Sequence, residues 1–228
     1  WWNTSVCPSK YDLSMDEEIT IIDANTRNEK IKNFFVNNKK ILIIISITIL
    51  TILISFYSIQ AYKDGHREYI SNKYNSAVIN FDKGDKTNTL LMMKEIIEDK
   101  DTTYSPLALY FLIDNNLIEN KNEINNFFNL IINKVSLENE IRNLIIYKKA
   151  LYNADDVDEN QLIDILKPVI NSKSVWRSHA LYLIAEYFYS KNEKQKSKEF
   201  FSQILSVENA NQDIIKEAQK RLNRDLGE

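Results

Sequence analysis

The chain has 228 residues, 27% charged and 44% hydrophobic, with a net charge of −3, which suits one membrane segment plus one folded domain and excludes a large multidomain enzyme. Three glycines and three prolines are too few for sandwiches, barrels or doubly wound sheets, and Gly65, Gly84 and Gly227 are too scattered for a phosphate loop. Cys7 stands alone, His66 and His179 lie far apart, and the charge is mixed, which together exclude an intrachain disulfide, a multi-cysteine zinc site and a nucleic-acid footprint.

Residues 1–14, WWNTSVCPSKYDLS, contain no methionine and no hydrophobic periodicity, whereas Met15 opens an acidic stretch. The natural start is expected at Met15, with residues 1–14 an upstream or non-native segment and residues 15–40 a cytoplasmic N-terminal segment. From Ile41 to Tyr57 the sequence is ILIIISITILTILISFY, and it stays uncharged through Tyr62. At ~1.5 Å per residue these 22 residues reach about 33 Å, enough for a hydrocarbon core of ~30 Å. Ser46, Thr48, Thr51 and Ser55 can return their hydroxyls to the preceding turn, and Tyr57 and Tyr62 fall where interfacial aromatics belong. A soluble core helix rarely runs 17 residues without a charge, and a signal peptide does not place 26 residues, Met15 to Lys40, before its apolar run. An uncleaved anchor is expected, with membrane lipid around residues 41–62. Arg27, Lys30, Lys32, Lys39 and Lys40 precede it and Lys63, Arg67 and Lys73 follow, an asymmetry that places the N-terminus in the cytoplasm.

Residues 63–228 read as helices separated by short polar breaks. Expected in order are Tyr69–Asp82 and Thr87–Glu98, then a helix opened by Ser105 as cap and Pro106 and running to about Leu117, then Glu123–Asn133. Leu137–Tyr152 and Gln161–Ile170 follow, the latter kinked or shortened by Pro168, then Val175–Ser190, Glu193–Leu205 and an amphipathic Gln212–Arg224. The expected fold is all-α: one transmembrane helix, then a tetratricopeptide-like α-solenoid of about four hairpins and a capping helix.

The fourth hairpin carries the repeat signal. Ala185 and Ser197 are small where helices cross closely, and Phe201 fills the groove between them. Ala77, Ala108 and Ala150 take the place of Ala185 in the earlier hairpins, at spacings of 31, 42 and 35 around a period of about 34. Tyr74, Tyr147 and Tyr182 each stand three residues before such an alanine and are expected to face a concave partner-binding groove or to pack between helices. His179, Tyr182, Glu186 and Tyr189 step by 3, 4 and 3 residues, so they share one face of a helix and are expected to line the same partner-binding groove.

The stretches Asp16-Glu17-Glu18-Ile19, Asn28-Glu29-Lys30-Ile31 with Phe34-Phe35, and Ser174-Val175-Trp176-Arg177-Ser178-His179-Ala180 give the chain a familiar outline. From Met15 to Arg224 it resembles the YfgM-like ancillary subunits of the Sec translocon, membrane-anchored tetratricopeptide-like proteins, in their alphaproteobacterial form. The resemblance implies a bacterial inner-membrane protein with a periplasmic domain, whose partners are Sec translocon subunits and periplasmic chaperones that handle exported polypeptides. Greater richness in Asn, Ile and Lys sets this chain apart from most such relatives.

Residues that could carry chemistry fail on pattern. Counted from Asp156, the acidic run Asp155–Asn160 puts Gln161 where a calcium loop needs glycine and Lys167 where it needs glutamate, so it reads as a loop with Asp158 capping the next helix. His179 and Glu186 lack a third metal ligand. Trp176 reads as a packing tryptophan with Arg177 beside it. No nucleophile stands in a base-paired pattern, so no catalytic residue, cofactor, metal or small-molecule substrate is expected. The expected function is a non-enzymatic adaptor at the translocon. The alternative is a scaffold for another envelope assembly, such as outer-membrane or division machinery.

Overall fold

A computed structural model describes residues 29–226, so the expectations for residues 1–14, for Met15 and for Asp16 to Asn28 lie outside the described residues. Every regular element among the described residues is a helix: α1 (29–37), α2 (Lys39–Asp82), α3 (Lys86–Glu98), α4 (Tyr104–Asp114), α5 (Lys121–Lys134), α6 (Asn139–Asn153), α7 (Glu159–Ile170), α8 (Arg177–Ser190), α9 (Lys194–Leu205) and α10 (Gln212–Arg224). The chain divides into two compact units, Trp1–Gly65 and His66–Glu228.

The first unit holds α1 and the apolar start of α2. Between Ile41 and Tyr62 every residue except Leu42 is exposed, so the apolar surface runs all round the helix. A helix that is apolar on every side and covered by nothing has the length and composition to cross a membrane. Thr48 and Thr51 donate their hydroxyls to the carbonyls of Ile44 and Ile47, both at 2.9 Å, which satisfies them without water. The helix expected at Tyr69–Asp82 is no separate element, because α2 continues to Asp82. A lone Gly65 among ordinary helix formers costs about 1 kcal/mol and does not end a helix.

In the second unit each helix from α3 to α10 packs on its successor, and α3 also meets α5, α6 meets α8 and α8 meets α10. The apolar interior is correspondingly a succession of three clusters, around Leu109 and Phe128, around Leu166 and Ile184, and around Phe201 and Ala218. Polar links between its helices vary in spacing, with Lys149 to Asn129 20 apart, Asn125 to Asn153 28 and Tyr187 to Val157 30, and one group clusters. Tyr104 to Ser71, Arg67 to Thr103, Ser174 to Glu140, Asn211 to Ser178, Arg221 to Glu186 and Lys196 to Glu159 join residues 33 to 37 apart.

Three of the turns between paired helices are the same structure. Gly84, Asn116 and Asn192 take left-handed φ values of 87°, 50° and 63°. Their N–H groups bond Phe81, Ile113 and Tyr189 carbonyls, and the next residues bond Asn80, Leu112 and Phe188, the two bonds of a Schellman cap. Seven residues before each left-handed residue stand Ala77, Leu109 and Ala185. Ala108, expected at that place, is therefore one position out of register, although it is fully buried like Ala77, Ala150 and Ala185. The buried Ser197 hydroxyl donates to the Ala185 carbonyl at 2.8 Å, and Thr89 Oγ1, which donates to the Asp85 carbonyl at 2.7 Å, lies 3.2 Å from the Ala77 carbonyl, a separation of twelve residues in both pairs. Close helix crossing lets a short hydroxyl reach the opposing backbone.

Some boundaries differ from expectation for local reasons. Ser105 does not cap α4. Asp101 accepts the N–H groups of Thr103 and Tyr104 at 2.8 and 2.7 Å, which frees Ser105 to sit buried and donate to Ile96 at 2.9 Å. α4 stops at Asp114 instead of Leu117 because Asn116 forms the cap turn. Pro168 lies exposed in the last turn of α7, which still reaches Ile170. Asp158 caps α7 as expected, in a reciprocal box with Gln161.

A Cβ at Gly84 would meet nothing within 4 Å, so only the left-handed backbone opposes a side chain there. Gly84→Ala is therefore expected to cost about 1 kcal/mol in chemical denaturation, while Asn192→Gly gains stability or leaves it unchanged.

Candidate partner-binding surface

The six tyrosine, histidine and glutamate positions expected to line one groove fall in three places. Tyr74 packs in the α2–α4 contact, its ring 5.7 Å from Tyr104 and 6.4 Å from Phe111. Burial raises its pKa, with the neighbouring Tyr104 adding to the effect.

Tyr182, Glu186 and Tyr189 do share one face of α8, as their spacing requires, but α10 covers it. Arg221 of α10 grips Glu186 through two parallel bonds of 2.7 Å, from Nε and Nη2. Its guanidinium carbon stands 4.2 Å from the Tyr189 ring centroid and its Nη1 also bonds Asp225. The Tyr182 ring meets Phe201 edge-on at 5.3 Å. Burial, reinforced by the Glu186 carboxylate, pushes the Tyr182 hydroxyl up to about 12. Glu186 and Tyr189 thus contact this chain's own last helix, and Tyr182 packs on Phe201 of α9.

His179 belongs to a different group. Trp176 stacks on Tyr147 with centroids 5.9 Å apart, and His179 closes the cluster at 5.0 Å from Trp176. The loop that carries Trp176 is held by Glu140 of α6, whose carboxylate accepts Ser174 Oγ–H at 2.7 Å and Val175 N–H at 3.3 Å. Burial pushes the His179 pKa below the ordinary imidazole value, against the pull of the Val175 backbone. Beside it opens a cleft of about 330 Å³ lined by Val175, Trp176, His179, Asn209 and Asn211. Trp176 thus packs as expected and also borders an open surface. Ser197 and Phe201, fully buried, pack as expected.

A larger apolar groove, which sequence reasoning did not find, runs between α4 and α6. It encloses about 520 Å³ and includes Pro106, Leu107, Tyr110, Leu137, Ile141 and Leu144 in its lining. Leu107 and Ile141 leave 41% and 42% of their surface exposed. The Tyr110 hydroxyl is buried with no hydrogen-bond partner among the described residues, and burial pushes its pKa up to about 12. Lys148 lies over the same ring at 4.9 Å. The only sequence trace of this groove is the pair of apolar residues, Leu107 and Ile141, left over after each helix has a full inward face. The Arg221–Asp225 pair had a clearer one, since opposite charges four apart on a helix attract.

The bonds from Arg224, with Arg221 adding to them, hold the Asp225 carboxyl down at about 2. A depressed acid contributes stability that is present above its ordinary range and is lost as pH falls toward the folded value. Between pH 4 and 2, α10 of the parent chain is expected to lose protection in hydrogen exchange, and Asp225→Asn shows a smaller step because only the Glu186 pair with Arg221 is left to titrate.

Comparison with family models, curated proteins and solved structures finds no match for this chain.

Proposed function

We propose that this chain is a non-enzymatic, membrane-anchored adaptor whose helical domain is a tetratricopeptide-like stack that holds protein partners. The recurrence of polar links at 33 to 37 residues supports the stack, since tetratricopeptide units repeat at about 34. The observation that carries the adaptor reading is the α4–α6 groove, where Leu107 and Ile141 stay exposed above a buried Tyr110 hydroxyl with no hydrogen-bond partner among the described residues. Partner surfaces combine such an apolar centre with a tyrosine able to bond the guest. The resemblance of the Trp176-Arg177 element and of the anchored layout to YfgM-like proteins favours the Sec translocon and periplasmic chaperones as partners. It also favours an inner-membrane location with the helical domain in the periplasm.

Photo-crosslinking amino acids at Leu107 and Ile141, in membranes of a cell that expresses the full chain, test this reading. Adducts with Sec channel subunits or periplasmic chaperones support it. Adducts confined to division or outer-membrane assembly proteins overturn it in favour of an envelope scaffold.

A further inference from the structure

We propose that α1 is an amphipathic helix that docks on an anionic lipid surface, with Ile31, Phe34 and Phe35 entering the boundary between headgroups and acyl chains. This rests on the reading of residues 41–62 as a membrane span. Ile31, Phe34 and Phe35 are three and four residues apart, so they form one face, and they leave 50%, 58% and 57% of their surface exposed. At about 100° per residue, Lys30 borders one edge of this apolar arc and Lys32 the other. Glu29, Asn33 and Asn37 fill the opposite side, where Val36 is the single apolar residue. Lysines beside an apolar arc bury their stems against acyl chains and keep their ammonium groups among lipid phosphates. Residues 29–40 carry four lysines against one glutamate, the charge that an anionic leaflet attracts.

Position in the chain identifies the lipid surface as the occupant. Phe35 precedes Ile41 by six residues, about 9 Å of helix, so the face begins in the headgroup layer that adjoins the ~30 Å core. A straight continuation of α2 would carry Phe34 and Ile31 outward into water. Asn38 is the single non-helical residue between α1 and α2, and its backbone N–H and side-chain Nδ2 both donate to the Phe34 carbonyl at 3.0 Å. Docking requires the chain to bend at Asn38, where helical bonding otherwise runs on, the Leu42 N–H donating to the Asn38 carbonyl at 2.9 Å.

The test uses the full chain with Cys7→Ser, reconstituted in vesicles of phosphatidylcholine with or without phosphatidylglycerol. Single cysteines at Ile31, Phe34, Phe35, Asn33, Asn37 and Ile47 carry an environment-sensitive fluorophore, and lipids brominated on their acyl chains quench it. Quenching is expected at positions 31, 34 and 35 and not at 33 and 37, and it is expected to strengthen with phosphatidylglycerol. Lys30→Gln with Lys32→Gln should lower the docked-to-free ratio, by about fivefold for each lysine. Equal aqueous access at all five α1 positions while Ile47 is quenched overturns the proposal and leaves the span intact. Aqueous access at Ile47 overturns the span itself. A dry but unquenched Phe34 means that protein covers this face, and that also overturns the proposal, as does quenching indifferent to lipid charge.

Discussion

Phe201→Ala is expected to destabilise the helical domain by about 3–5 kcal/mol, the range for removing a buried phenyl ring. Phe201 is fully buried at the junction of α8, α9 and α10, where it meets Tyr182 edge-on and lies beneath the Arg221 guanidinium at 5.8 Å. The hole cannot close by a small shift, because Ser197 and Ala185 already hold α8 and α9 at hydroxyl-to-carbonyl distance. Urea unfolding followed by circular dichroism reads the loss. A midpoint unchanged from the parent chain would show that these three helices do not share one core. Phe201→Leu, which keeps most of the apolar volume, should recover more than half.

Arg221→Ala is expected to cost about 2–3 kcal/mol, less than a fully buried ion pair because Glu186 keeps 35% of its side chain in water. Arg221 itself is only 12% exposed and serves two carboxylates and two aromatic rings, Tyr189 and Phe201. Its loss strands Glu186 beside Tyr182, whose hydroxyl already resists ionisation, while Asp225 keeps its bonds to Arg224. Removing the stranded charge as well, in Arg221→Met with Glu186→Leu, should return part of the stability, since an apolar pair of similar volume replaces a paired one at little cost. Should the double variant be no better than the single, the loss comes from the stacking on Tyr189.

The apolar run at residues 41–62 was legible because its signal is continuous and needs no partner to interpret. The helices from Lys86 onward were legible too, with α10 found at its full extent, because caps and inward-facing periodicity are local. The α4 boundaries were not, since a buried Ser105 and a capping Ser105 look the same until Asp101 is seen to take the N–H groups. Register across degenerate repeats was lost in the same way. Ala108 beside Leu109 offered a small residue, whereas the turn at Asn116 fixes Leu109 as the counterpart of Ala77 and Ala185. The stripe on α8 was correctly placed on one face, but sequence spacing does not reveal whether solvent or a later helix occupies that face. Arg221 occupies it. The α4–α6 groove escaped notice because its residues come from helices two apart in the chain and share no periodicity.

We propose that residues 41–62 anchor the chain and cross the membrane once, with the N-terminal side inward. In spheroplasts that express the full chain with Cys7→Ser, an impermeant thiol reagent is expected to label Gly84→Cys from outside and to label Asn33→Cys only after lysis. Labelling of Asn33→Cys in intact spheroplasts with Gly84→Cys protected would reverse the topology, and recovery of the chain in the soluble fraction would contradict the anchor itself.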